Sequence, residues 1–154
     1  MGYAENTSVS SERSRMEIER TLARYGAKEF FYGWKEHAEV VGFKMSDRNV
    51  RFEVKPPSEK DPTICRTPAG RDRAPGQIEE AMAQEVRRRW RALLLVVKAK
   101  LEAVHSGIST LEQEFLAHIV LPNGRLVGEY VAPVIDRAYK SGRMLPAWEG
   151  EEKS

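Results

Sequence analysis

Six cationic side chains crowd about five helical turns of this chain. Arg87, Arg88, Arg89, Arg91, Lys98 and Lys100 all fall within QEVRRRWRALLLVVKAKLEAV, Gln84 to Val104, and within 84–101 only Glu85 opposes them. A guanidinium is a planar fork of N–H donors that matches phosphate oxygens, so the chemistry this run could do is to grip an anionic polymer. On a helical wheel Arg87, Arg91 and Lys98 share one flank, Arg88 lies farther round on the exposed side, and Arg89 and Lys100 border the apolar stripe from the other flank. The cations thus form a collar rather than a narrow rail. The competing reading is a solvated helix face whose cations pair with Glu17, Glu19 or Glu53.

Two further groups of residues fit the first reading. Arg66, Arg71 and Arg73 make the segment before the helix locally basic. Phe30, Tyr32 and Trp34 alternate along FFYGW and share one strand face, where aromatics beside cations can stack bases. Phe30 and Phe31 read better as core, because a small sheet must bury one face. That leaves Tyr32 and Trp34 as the stacking candidates. The nucleic-acid site read from sequence is therefore Arg66, Arg71, Arg73, Arg87, Arg88, Arg91 and Lys98 for phosphates, with Tyr32 and Trp34 for bases.

Other chemistries find little support. The three histidines, His37, His105 and His118, are scattered, and Cys65 is the single cysteine. No Cys/His spacing makes a zinc site, and no Ser or Cys sits in a recognisable nucleophile setting. PNGR has too few glycines to cradle a phosphate. Sequence therefore predicts no enzyme, no metal and no cofactor. The net charge is only +2, so nucleic-acid binding rests on local clustering. With 41% hydrophobic and 31% charged residues, the chain reads as one soluble globular domain. The opening MGYAENTSVSSERSR has no apolar core of a secretory signal, and the longest apolar run, ALLLVV, is far short of a membrane span. A reducing, cytoplasmic location is the expectation.

The elements that must position these residues follow from periodicity. Residues 1–9 read as a disordered polar leader and 10–142 as one domain. A first helix over about 10–25 carries Ile18, Leu22 and Tyr25 on one stripe, opened by Ser14 and Glu17 or by Ser10 or Ser11 and stopped by Gly26. FFYGW, 38–45 and 50–55 read as three antiparallel strands, with SDRN as a turn. Prolines and glycines make 56–76 a basic, structureless loop. A long helix over about 77–105 keeps the 3.6-residue period from Ile78 through Trp90 and Leu94 to Val104. Ser109 and Glu112 frame a capping box for another helix with Phe115 and Leu116 buried. A last helix covers about 129–140, with Pro133 in its first turns, and the tail 143–154 reads as flexible.

Taken together, WRALLLVVKAKLEAV, EQEFLAHIVLPNGR and TSVSSERSRMEIERTLARYGAKEFFYGW resemble a family of small proteins of tailed bacteriophages and prophages that carry no assigned activity. The resemblance covers most of the chain and implies a viral origin and a life in the cytoplasm of a bacterial host. The order helix, three strands, basic loop, long helix is also similar to the core of single-strand annealing proteins, at the level of fold. The expected fold is α+β: a three-stranded antiparallel sheet packed on a long helix, with two or three further helices. The expected function is non-enzymatic binding of nucleic acid, single-stranded DNA foremost, in replication or recombination. The alternative is an oligomeric inhibitor of host antiviral defence that binds a host protein or sequesters a nucleotide messenger.

Overall fold

The computed structural model describes residues 2–143, with side chains from residue 11 onward. Helix α1 spans Gly2–Arg24 and so begins well before the expected start near residue 10. Nothing from Tyr3 to Arg24 breaks a helix, since the segment has neither proline nor glycine. Ser11 and Ser14, read as caps from sequence, are buried inside it. Gly26, at φ 98°, turns the chain out of the helix, and the Ala27 N–H donates back to the Leu22 carbonyl at 2.9 Å.

Three strands follow, β1 (Glu29–Lys35), β2 (Ala38–Met45) and β3 (Arg48–Val54), in the antiparallel order β1-β2-β3. Ser46 and Asp47 form the two-residue loop between β2 and β3, both with positive φ (50° and 58°), as the primed turns that match strand twist require. The register sets Phe30 opposite Phe43, Tyr32 opposite Val41 and Trp34 opposite Glu39. Strand periodicity then puts Phe30, Tyr32 and Trp34 on the same face as Val41, Phe43, Val50, Phe52 and Val54. That face packs on the helices.

The segment 56–76 is not structureless. Asp61 caps a short helix α2 (Pro62–Cys65), accepting from the Thr63 N–H at 2.9 Å and the Thr63 hydroxyl at 2.7 Å. Arg66 and Asp72 then form a bridge around a tight turn at Gly70. Proline and glycine here set local turns rather than a random path. Helix α3 runs from Pro75 to His105, 31 residues and so about 46 Å. Its inward stripe buries Ala83, Trp90, Leu94, Val97 and Leu101. These side chains meet Ile18 and Leu22 of α1 and the inner face of the sheet in one core.

Helix α4 (Leu111–Phe115) is capped by Thr110 and Gln113, one residue later than the expected Ser109–Glu112 pair. The Ser109 hydroxyl donates instead to the Glu114 carboxylate at 2.6 Å. Phe115 is fully buried, but the chain tightens into a 3-10 turn at Leu116–His118 and Leu116 swings out, 53% exposed. Ile119 bridges Val50, and the Val120 N–H donates to Asn49 at 2.8 Å, which covers part of the free edge of β3. Helix α5 (Val127–Ser141) holds Pro133 in its interior, not its first turn, and ends at Gly142 with φ 70°. The predicted tail lies, apart from Arg143, outside the described residues. Among the described residues no helix is long and apolar enough to cross a membrane.

Candidate functional site

The cationic run lies on the first half of α3, and its orientation is fixed by Trp90. That side chain is fully buried, and its indole N–H donates to the Glu39 carboxylate on β2. With Trp90 facing inward, Arg88 and Arg91 must face out. Arg89 lies at the border. It donates to the Glu85 carboxylate at 3.0 Å and to the Lys55 carbonyl, so it joins α3 to the end of β3.

An open cleft of about 490 Å³ separates α2 from this part of α3 and is lined by Arg73, Arg87, Arg88 and Arg91 together with Glu85 and Thr63. Four guanidinium groups thus face one carboxylate. Arg88 grips Glu85 through two bonds, Nε at 2.7 Å and Nη2 at 2.6 Å. This bidentate clamp, with help from Arg89, holds the Glu85 carboxyl down at about 2. The same contact raises the pKa of Arg88 above its ordinary value. Arg73 donates to the Thr63 and Ile64 carbonyls at 3.5 and 3.2 Å, which satisfies the exposed end of α2 and fixes the guanidinium at the mouth of the cleft. Arg87 and Arg91 stand one turn apart, and among the described residues neither has an acidic partner. Two of the cleft cations are therefore held in place and two are uncompensated. This pattern of forked donors fits an oxyanion, a phosphate or a carboxylate.

The remaining sequence-derived residues are not brought to the cleft. Lys98 donates to Glu17 of α1 at 2.6 Å, the one pairing that the solvated-face reading anticipates correctly, and this bond holds the Glu17 carboxyl below its usual range. Arg66 pairs with Asp72 at 3.7 Å, and Arg71 is exposed but does not line the cleft. Tyr32 does not offer a stacking face. It sits on the core side of the sheet with the Arg15 guanidinium 3.8 Å from its ring centroid and Trp90 at 6.2 Å. Burial and the nearby Glu39 carboxylate raise its hydroxyl pKa. Trp34 shares that face and lies edge-on to Tyr32 at 5.7 Å, yet 76% of it is exposed because it projects past the helices at the end of β1. Phe31, expected in the core, lies on the opposite face and is 49% exposed, with its ring over Gly42 where any side chain would collide with it.

Reading for a dense basic run overlooks dispersed cations. Arg13, Arg20 and Arg24 recur at i, i+7 and i+11 on one exposed stripe of α1, a spacing visible in the sequence but diluted by the neighbouring glutamates. His118 is half-buried and stacks on Phe52 at 4.1 Å. Burial lowers its pKa, although a backbone contact with Arg51 pulls the other way, and packing accounts for its placement. Among the described residues no group of three or more His, Cys, Asp or Glu side chains could hold a metal ion. No protein-family model, curated protein or solved structure matches this chain.

Proposed function

We propose that the chain is a non-enzymatic nucleic-acid-binding protein that holds the phosphate backbone in the cleft between α2 and α3, acting on single-stranded DNA in phage replication or recombination. The observation that carries this reading is the pair Arg87 and Arg91, uncompensated in a cleft whose other two guanidiniums are already held by Glu85 and by the α2 carbonyls. Arg73, held by the α2 carbonyls without a counter-charge, is fixed before binding and loses less freedom on contact than a mobile surface lysine does. The cleft is open, which suits a polymer that passes through it better than a small nucleotide enclosed on every side.

The test is fluorescence anisotropy with a labelled oligodeoxythymidine and a duplex at two salt concentrations. Arg87→Glu combined with Arg91→Glu is expected to weaken single-strand binding about tenfold or more at 0.1 M salt. The slope of log K against log salt should flatten by about 1.4, from two lost contacts at about 0.7 each. Unchanged affinity in the double variant would remove the cleft from the interface.

A further inference from the structure

The outer face of α3 changes character past the cleft. Arg88, Ala92, Leu95, Ala99 and Glu102 recur at i, i+4, i+7, i+11 and i+14, and all are exposed. Between Arg91 and Glu102 the charge that borders that face, Lys98, is paired with Glu17 of α1 at 2.6 Å, and Leu95 is 66% and Val96 41% exposed. Because Leu94 and Val97 point into the core, the segment 92–97 is apolar on every side, a composition that normally goes with full burial. Helix α1 runs alongside in the same direction, tied by Glu17 to Lys98 and by the Tyr25 hydroxyl to Glu102 at 2.8 Å. The outward stripe of α1 presents Arg13, Met16, Arg20 and Arg24. Met16 is 48% exposed, and among the described residues the three arginines have no acidic partner within ion-pair distance. Two open depressions of about 1140 and 630 Å³ follow this surface and meet at Thr21 and Arg24.

We propose that this face continues the cleft into a track for single-stranded nucleic acid, with phosphates on Arg13, Arg20, Arg24 and Arg91 and bases laid against Leu95, Ala99 and Met16. The proposal rests on the nucleic-acid reading of the cleft and adds the path and the surface that would take the bases. A duplex keeps its base faces stacked inside and shows only backbone and groove edges, so an apolar floor finds no base face to cover. A single strand exposes apolar base faces that need cover while its phosphates seek cations. From Arg88 to Glu102 the floor is about 21 Å long at 1.5 Å per residue. It ends at a carboxylate that repels further phosphates. The occluded length is on the order of 4–6 nucleotides, the lower part of the range for single-strand-binding folds.

The experiment extends the anisotropy titration to oligodeoxythymidines of increasing length and compares three variants. Affinity of the unaltered protein should rise up to about 4–6 nucleotides, then level off, and exceed that for a duplex. Arg20→Glu with Arg24→Glu should weaken single-strand binding about tenfold and flatten the salt slope by about 1.4. Leu95→Ser should weaken it several-fold with the slope unchanged, since no charge is lost. If both of these variants bind like the unaltered protein while Arg87→Glu with Arg91→Glu does not, the track is wrong and the cleft stands. If none of the three changes binding, both readings fall. A preference for duplex overturns the apolar floor. Capture of a poly-glutamate peptide with no oligonucleotide bound would assign the face to an acidic protein partner and overturn the track.

Discussion

Glu85 holds two arginines on one carboxylate, and that decides how the cleft responds to pH and to substitution. Its folded-state value of about 2 lies below the ordinary 4.5, so the stabilisation from the clamp is complete above about pH 4.5 and is lost as pH falls towards 2. The thermal midpoint should therefore drop on acidification through that window, and Glu85→Gln should remove this part of the drop. The same substitution releases Arg88, and the prediction is opposite in sign for the two readouts. Stability at neutral pH should fall by about 0.5–1 kcal/mol, while oligonucleotide affinity rises a few-fold. A protein that lost affinity on Glu85→Gln would show that the clamp serves to aim Arg88 rather than to occupy it. At this scale the sequence was informative about type and weak on partnership. Six cations were countable, but Lys98 bound to Glu17 and Arg89 bound to the Lys55 carbonyl are contacts across 81 and 34 residues. No local pattern reports such distances.

Helices and strands were the most legible level, because hydrophobic period is a local property. α3 was expected over about 77–105 and spans Pro75–His105, and the three strands fall within a few residues of their expected limits. The misses lie where local rules compete. Ser14 can cap a helix or sit inside one, and tertiary burial decided for the interior. Gly128 shows how packing reverses a propensity. A glycine inside a helix usually gains about 1 kcal/mol on change to alanine. Here an added methyl would lie 2.9 Å from the Ala117 carbonyl oxygen, so Gly128→Ala is expected to destabilise the seating of α5 on the 3-10 turn. Gly76, near the start of α3, has nothing within 4 Å, and Gly76→Ala should be neutral or mildly stabilising. Hydrogen exchange of α5 amides and thermal midpoints of the two variants check both statements. Equal stabilisation by both would mean that α5 does not rest on Ala117.

For the whole molecule, one core joins α1, α3, α4 and the sheet, and Trp90, Ile18, Phe43, Val50 and Phe115 are fully buried within it. A single shared core predicts one cooperative transition. Urea unfolding followed by tryptophan fluorescence and by far-ultraviolet circular dichroism should coincide, and Trp90→Ala should cost about 3–5 kcal/mol. Separate transitions would show that the sheet and the helix pair are independent. By itself the sequence determined the α+β class, the long amphipathic helix, the hairpins and the presence of a cationic run, since each is written in spacing between near neighbours. Only the tertiary structure decided which cations are free and which face of the sheet is open. Arg87 and Arg91 stay uncompensated because Glu85, the carboxylate that lines their cleft, is taken by Arg88 and Arg89, and Tyr32 is withdrawn because the helices cover its face. A side chain's availability depends on everything packed around it, and that is a property of the assembled core rather than of any segment.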